Sequence, residues 1–410
     1  MNQAEESQAS GRPIASEAAV DACSLRWWHP GVAQREIALP SLNRHGGLTS
    51  LVKTVKNLAL NPGIVRIAVM PDAHEGSAVP NGTVVATKDL IYPRMVGADI
   101  GCGVAAIRFD LAADEIKKAD WVKVLSLLQR AIPTLKSPEP SISESLTEFC
   151  RPEELSHQTL VQQAKREGRY QLGTLGRGNH FVELQRDEQG ALWAMVHTGS
   201  RAMGPFITDH HLARAQSVHR SGQPFLDLSE PAGQDYFNDM QWALAYAREN
   251  RLILLNRVAD ILERGWKTRV IDSSYLDCPH NFARREIHGG QSLLVHRKSA
   301  NSARTDELGL IPGSMGTQSR IVRGLGDPKS LCSSAHGAGR ALSRAQAFEK
   351  ISLSQLQRSM KGIAFNEAAA AKLRDESPRA YKDLGEVMSA QIDLVRTVAV
   401  LKPLCVHKGI

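Results

Sequence analysis

A carboxylate and a thiol stand three residues apart in Gly97-Ala98-Asp99-Ile100-Gly101-Cys102-Gly103. The glycines around them permit tight turns and leave room for a ligand. Three histidines have comparable surroundings: His180 in Gly178-Asn179-His180-Phe181-Val182-Glu183, His197 ahead of Thr198-Gly199-Ser200, and His280 after Cys278-Pro279. Taken singly, each histidine would serve as a hydrogen-bonded core residue, and Cys102 as a small buried hydrophobe. Together, Asp99, Cys102, His180, His197 and His280 read as a buried metal set. Five ligands exceed the four of a closed tetrahedral zinc site. They suit two open divalent centres sharing one ligand, and a thiolate can bridge. Carboxylate and imidazole suit Mn²⁺, whereas thiolate favours the softer Zn²⁺, which is expected to compete.

Two further loops are rich in Gly and Ser: Gly313-Ser314-Met315-Gly316-Thr317-Gln318-Ser319 and Ser333-Ser334-Ala335-His336-Gly337-Ala338-Gly339-Arg340. Such loops offer backbone N–H and hydroxyl groups to phosphate oxygens. Neither is the GxxxxGK[ST] phosphate loop. A neutral imidazole at His336 can attack a phosphorus polarised by a metal and a neighbouring arginine. Out of context, His336 reads more readily as a structural residue than as a nucleophile.

These groups need strands and turns to hold them. Ile64–Met70 is a short apolar run entering Pro71-Asp72 and reads as a strand ending at a site loop. Thr83–Thr87, Val104–Phe109 and Ala191–His197 read as further strands. Gln234–Trp266 has the spacing of a long helix, and Tyr381–Leu401 that of a second amphipathic helix. Asp114–Lys165 holds helical stretches broken by Pro133, Pro138 and Pro140. The polar chemistry falls on loops at strand ends, where catalytic groups are usually placed. The fold expected is α/β (α+β): a single large domain over residues 23–410, with central antiparallel β-sheets, peripheral helices and a loop-built dinuclear metal site. Residues 1–22 read as a flexible tail.

Composition narrows the class. With 42 % apolar residues, the 410-residue chain can bury a substantial core, yet no run approaches the roughly 20 apolar residues of a membrane span. No secretory signal pattern opens the chain, so a cytoplasmic protein is expected. Six scattered cysteines suggest no disulfide framework. Between Asn281 and Ala345, ten Lys/Arg face four Asp/Glu, so most of the net charge of +7 falls in one segment. A local excess of this kind suits a polyanion, or else forms a solvated basic face.

Taken in order, these segments resemble the RtcB family of RNA ligases. The resemblance rests on Met70-Pro71-Asp72-Ala73-His74-Glu75-Gly76, the Asp99/Cys102 loop, Gly178-Asn179-His180-Phe181-Val182-Glu183 and His197-Thr198-Gly199-Ser200-Arg201. It continues through His280-Asn281, Ile311-Pro312-Gly313-Ser314-Met315-Gly316, Ser334-Ala335-His336-Gly337-Ala338-Gly339-Arg340 and Lys408-Gly409. It implies a GTP- and Mn²⁺-dependent ligase joining RNA 3′-phosphate or 2′,3′-cyclic phosphate ends to 5′-hydroxyl ends, in tRNA splicing or RNA repair, with an archease-type activator as some relatives use. By analogy, Cys102 would bridge two Mn²⁺ ions, with Asp99 and His180 on one and His197 and His280 on the other. His336 would carry GMP. Asn179, Glu183, Ser314, Ser319, Gly337, Ala338, Tyr381 and Lys408 match nucleotide contacts, and Asp72 a supporting or substrate residue. Ser299 stands where the family usually has Gly. Arg177, His407 and the terminal Ile410 also depart from its pattern. Two other readings remain: an RNA-end-binding protein without catalysis, and a metal-dependent phosphohydrolase needing no GTP.

Overall fold

Apolar, β-branched runs build two sheets in this computed structural model, which describes residues 24–29, 32–36, 49–76, 78–138, 150–215 and 222–410. The tail expected over 1–22 lies outside them. One sheet has six strands in the order Asn281–His288, Gln291–Lys298, Asn81–Thr87, Ile64–His74, Ser24–His29, Val32–Glu36. The other has seven, in the order Leu276–Pro279, Gly103–Ala112, Ala191–Thr198, Phe181–Arg186, Val395–Lys408, Ser319–Gly324, Leu308–Ile311. All neighbours are antiparallel except Ser24–His29 against Ile64–His74. The mixed, mainly antiparallel α/β architecture expected from the sequence is what forms.

Central strands such as Ala191–Thr198 are buried along their whole length, which is why they read as continuous apolar runs rather than alternating ones. One face of the seven-stranded sheet packs Val182, Leu184, Ala194 and Val196 against Leu254, Val258 and Leu262 of the helix Pro231–Trp266, and against Val124 and Leu128 of Asp120–Ala131. The long helix starts on Pro231, where a missing N–H costs nothing, and ends at Lys267 in the left-handed region. The helix Asp120–Ala131 stops just before Pro133, as expected. Between the sheets, Ala68, Val84 and Val295 meet Ile311 and Val322.

One expectation fails. Tyr381–Leu401 is not one helix. A short helix, Leu384–Ser389, capped by Asp383, gives way to the 14-residue strand Val395–Lys408. Leu384 and Val387 supply the one buried helical turn. Beyond it, Val395, Thr397, Val398 and Val400 are β-branched and favour a strand. Pairing with Ser319–Gly324 and Phe181–Arg186 on either side then overrides the helical spacing. The strand Ile64–His74 also runs past Met70, carrying Asp72 inside it.

Candidate metal centre and nucleotide cavity

Strand register brings the metal-type residues together. Gly103 pairs with Pro279 on one side and Thr198 on the other. Cys102, His280 and His197 are the immediate neighbours of those three residues, so the ends of three adjacent strands deliver them to one place. His197 also pairs with Phe181, which brings His180 alongside. The His280 N–H donates to the Cys102 carbonyl at 2.8 Å and fixes the turn.

The resulting distances are short. Cys102 Sγ lies 3.5 Å from His180 Nε2 and 3.3 Å from His197 Nε2. His197 Nε2 lies 3.3 Å from His280 Nε2, and His180 Nε2 lies 3.1 Å from Asp99 Oδ2. Asp99 approaches so closely that a Cβ on Gly199 would stand 2.2 Å from its Oδ1. All four His/Cys side chains are buried. His180 Nδ1 lies 3.0 Å from the Leu175 carbonyl, to which it donates, leaving Nε2 a lone pair. Burial pushes His197 well below the usual imidazole range, and does the same to His280. Both imidazoles are therefore neutral, the form that ligates metal. Burial and the adjacent Asp99 push the Cys102 thiol up; a divalent cation is the charge that would reverse this.

The donor set fits a metal. Cys102, His180 and His197 hold their ligand atoms within 4.8 Å of one another. Asp99 Oδ1 and His280 Nδ1 are buried without a hydrogen-bond partner among the described residues. Asn250 and Arg251, side by side on the long helix, brace the surrounding loops. Arg251 Nη1 donates to the carbonyls of Gly101 (2.7 Å) and Thr198 (3.1 Å), while its other nitrogens pair with Asp277. Asn250 accepts from the N–H groups of Gly173 and Thr174 and donates to the Thr174 carbonyl.

His336 follows the short strand Ser333–Ala335 and sits 4.8 Å, ring to ring, from His280. It lines a cavity of about 270 Å³ together with Asn179, Glu183, Ser314, Gly337, Ala338, Tyr381 and Lys408. Seven of the eight nucleotide-type residues expected from the sequence therefore surround one space. Ser319 does not line it. That hydroxyl accepts from Gln185 Nε2 at 3.1 Å and from the Gly313 N–H at 3.2 Å, so it braces the Gly313–Thr317 loop from behind. Lys408 Nζ and Tyr381 Oη both donate to Glu376 Oε2, at 2.6 and 2.8 Å. Arg344 and Arg340 approach the other oxygen of that carboxylate at 2.8 and 3.4 Å. Burial opposes the charge on Glu376, but Lys408 and Arg344 outweigh it and hold the carboxyl below its usual range. The Glu183 carboxyl is pushed up to about 8 by burial, against the opposing effects of Gln185 and Lys408.

The basic segment is partly spent inside the protein. Arg297 is buried and bidentate to Glu286, and Lys298 Nζ donates to the Val79 carbonyl at 2.7 Å. Of the departures from the family pattern, Arg177 is exposed and His407 is buried, bonded to the Ile132 carbonyl at 3.2 Å. Ile410 packs on a small apolar cluster. Glu376, Asn250 and Arg251 escaped the reading of the sequence. Asn250-Arg251 had one visible signal, adjacent polar residues amid helical apolar spacing; Glu376 had none.

Fold and site together define a class: a two-sheet α/β protein in which a buried cluster suited to metal opens on a cavity suited to a polyanionic ligand. Within that class the chain belongs to the RtcB family, whose model, described as tRNA-splicing ligase RtcB, matches residues 54–409. It is 36 % identical to RNA-splicing ligase RtcB1 of Escherichia coli, covering 86 % of this chain and 92 % of that one. It is 33 % identical to RNA-splicing ligase RtcB of Mycobacterium tuberculosis (87 % and 100 % covered) and 31 % identical to tRNA-splicing ligase RtcB of Thermococcus kodakarensis (86 % and 90 %). The family is one of ligases. No described helix is long and apolar enough to cross a membrane.

Proposed function

We propose that the protein is a GTP- and Mn²⁺-dependent RNA ligase that joins 3′-phosphate or 2′,3′-cyclic phosphate ends to 5′-hydroxyl ends. The observation that carries this reading is the setting of His336. Its Nδ1 stands 2.6 Å from Asp72 Oδ2, and it lines a cavity that also holds Lys408, Tyr381 and Glu183. With Nδ1–H donated to Asp72, Nε2 keeps its lone pair and acts as the nucleophile. Asp72 Oδ2 also accepts the backbone N–H groups of His336 and Gly337 at 3.0 and 3.2 Å, so ring and backbone are held together.

Nε2 attacks the α-phosphorus of GTP; a P–N bond forms and pyrophosphate leaves. The GMP passes to an oxygen of the RNA 3′-phosphate as the P–N bond breaks. The 5′-hydroxyl then attacks the 3′-phosphorus, loses its proton and expels GMP. A cyclic phosphate is first opened by water. Asp99 and His180 on one side, His197 and His280 on the other, with Cys102 shared, are the residues that would hold two Mn²⁺ ions. Their chemistry when bound is to draw charge from phosphate oxygens. Lys408, Glu183, Asn179, Ser314 and Tyr381 orient the nucleotide, and Gly337 and Ala338 leave room for it beside His336.

Incubation with α-labelled GTP and Mn²⁺ tests the reading. The protein gains an acid-labile, alkali-stable label, and His336→Ala gains none. An unlabelled wild type would sink it. Phosphate release from RNA ends without GTP would then favour a phosphohydrolase over an RNA-end-binding protein.

A further inference from the structure

A second concentration of positive charge lies outside the segment Asn281–Ala345. Between Leu160 and His180, four Lys/Arg face one Asp/Glu. Backbone hydrogen bonds hold this stretch against the chain around Thr134 and Ser137. The Ser137 N–H donates to the Tyr170 carbonyl and the Gly176 N–H to the Thr134 carbonyl, both at 2.7 Å. Lys136, Arg166, Arg169 and Arg177 are therefore carried on neighbouring segments, and all four are exposed.

The one carboxylate of the stretch is outnumbered. Glu167 takes Lys136 at 2.8 Å and Arg166 at 3.7 Å, while Lys165 turns to Glu153. Among the described residues, neither Arg169 nor Arg177 has a carboxylate partner. The Arg169 guanidinium instead stands 4.9 Å from the centre of the Tyr170 ring.

Arg177 sits between Gly176 and Gly178, whose φ values of 88° and 79° lie in the left-handed region. These glycines let two other guanidinia close on the loop. A Cβ on Gly176 would stand 2.2 Å from Arg201 Nη1, and one on Gly178 3.1 Å from Arg344 Nη2. Asn179, two residues past Arg177, is itself exposed and lines the His336 cavity together with Arg344. The basic strip thus runs up to that cavity. Exposed cations follow phosphates along a single strand, and a guanidinium beside an aromatic ring gives a base a surface to stack on.

We infer that Lys136, Arg166, Arg169, Tyr170 and Arg177 form a track for the backbone of the RNA strand that ends in the 3′-phosphate, holding it outside the cavity without reading its sequence. This rests on the ligase reading above, in which that phosphate must reach the GMP on His336. Arg177 departs from the family pattern, so the track includes a phosphate contact of this chain's own.

The test is binding of 5′-fluorescein RNA strands ending in a 3′-phosphate, a 10-mer and a 3-mer, to the full chain with Mn²⁺ and no GTP, over a series of salt concentrations. The wild type binds the 10-mer more tightly than the 3-mer, and the advantage shrinks as salt rises. Arg169→Ser and Arg177→Ser each weaken the 10-mer about 3-fold, the scale of one exposed ion pair. Each also lowers the slope of log affinity against log salt by about 0.7, the share of one phosphate on a single strand. Arg177→Lys keeps the charge and restores the slope. Both arginines are exposed, so the serine variants keep the melting temperature of wild type. A 10-mer bound no more tightly than the 3-mer, or salt slopes unchanged in both serine variants, would overturn the inference. So would equal competition by a glutamate 10-mer, which would make an acidic protein the occupant. Labelling by α-labelled GTP in parallel keeps the two proposals apart. A missing label removes the ligase reading, while the track stands or falls on the binding curves.

Discussion

The carboxylate of Asp72, fully buried, lies 2.6 Å from Nδ1 of His336, across 264 residues of sequence. Burial alone would push that carboxyl up, but the hydrogen bond from His336 and the nearby Lys382 hold it below the usual range. The pair fixes which imidazole nitrogen is free. Asp72→Asn keeps an oxygen for the two backbone N–H groups but removes the negative charge that favours Nδ1–H, and so loosens the hold on that tautomer. Labelling by α-labelled GTP is expected to slow by about 10³- to 10⁴-fold, in line with loss of the correct tautomer at other carboxylate-oriented histidines. A melting temperature near that of wild type, read alongside, separates this from unfolding. Labelling within 10-fold of wild type would show that Asp72 does not set the tautomer.

Arg251 touches the backbone beside Cys102 and His197 and, through Asp277, the strand leading to His280. It is almost fully buried, so removing its charge leaves Asp277 unpaired. Arg251→Met is expected to cost about 3–5 kcal/mol of stability by denaturant unfolding. Arg251→Lys keeps the charge but cannot span three acceptors. It is expected to weaken Mn²⁺ binding about 10- to 100-fold by titration calorimetry, the range for partners that orient ligands. Wild-type metal affinity in Arg251→Lys would limit the residue to a folding role.

The metal-type set was legible because Cys102 and the three histidines sit at strand ends with Gly, Pro or Asn within two residues, and Asp99 shares the glycine-rich loop of Cys102. Those local signals survive without the fold, and register between three strands then brings Cys102, His197 and His280 together. The strand Ala191–Thr198 was legible for a similar reason, since burial on both faces leaves a continuous apolar run from Ala191 to Val196. Val395–Lys408 was not. Its side chains satisfy a helical spacing as well as a strand, and only partners more than 70 residues upstream decide between them. Glu376 was equally hidden. Nothing in Arg374-Asp375-Glu376-Ser377 announces a buried carboxylate, because its cations come from Arg340, Arg344 and Lys408. The basic segment misled in part for the converse reason: Glu286 neutralises Arg297 inside the core.

Glu183 gives stability a pH dependence of known sign. Its folded carboxyl titrates at about 8, above the ordinary glutamate range, so the folded protein binds a proton there that the unfolded chain has lost. The contribution is complete below the unfolded value of about 4.3 and fades as pH rises towards 8. Unfolding free energy is therefore expected to fall between pH 5 and pH 8, by about 1 kcal/mol or more. Glu183→Gln is expected to flatten that slope in urea titrations of the metal-free protein. An identical slope in the variant would place the proton on another group.

Glu376 gathers Lys408, Tyr381, Arg344 and Arg340 on one buried carboxylate. Three of these residues are cationic, so the carboxylate offsets charge that would otherwise repel within the cavity. It also holds Lys408 Nζ and Tyr381 Oη at fixed positions. Glu376→Gln keeps the volume and one acceptor but removes the charge. Lys408 then loses its partner, and nucleotide binding is expected to loosen while His336 and Asp72 stay in place. The outcome expected is a KM for GTP raised about 10-fold, the cost of one charge-assisted hydrogen bond, with the single-turnover labelling rate at saturating GTP within about 3-fold of wild type. Glu376→Ala adds a cavity to the lost charge and is expected to lower the melting temperature as well. A Glu376→Gln protein with unchanged KM and a collapsed labelling rate would instead put this carboxylate in the chemistry at His336.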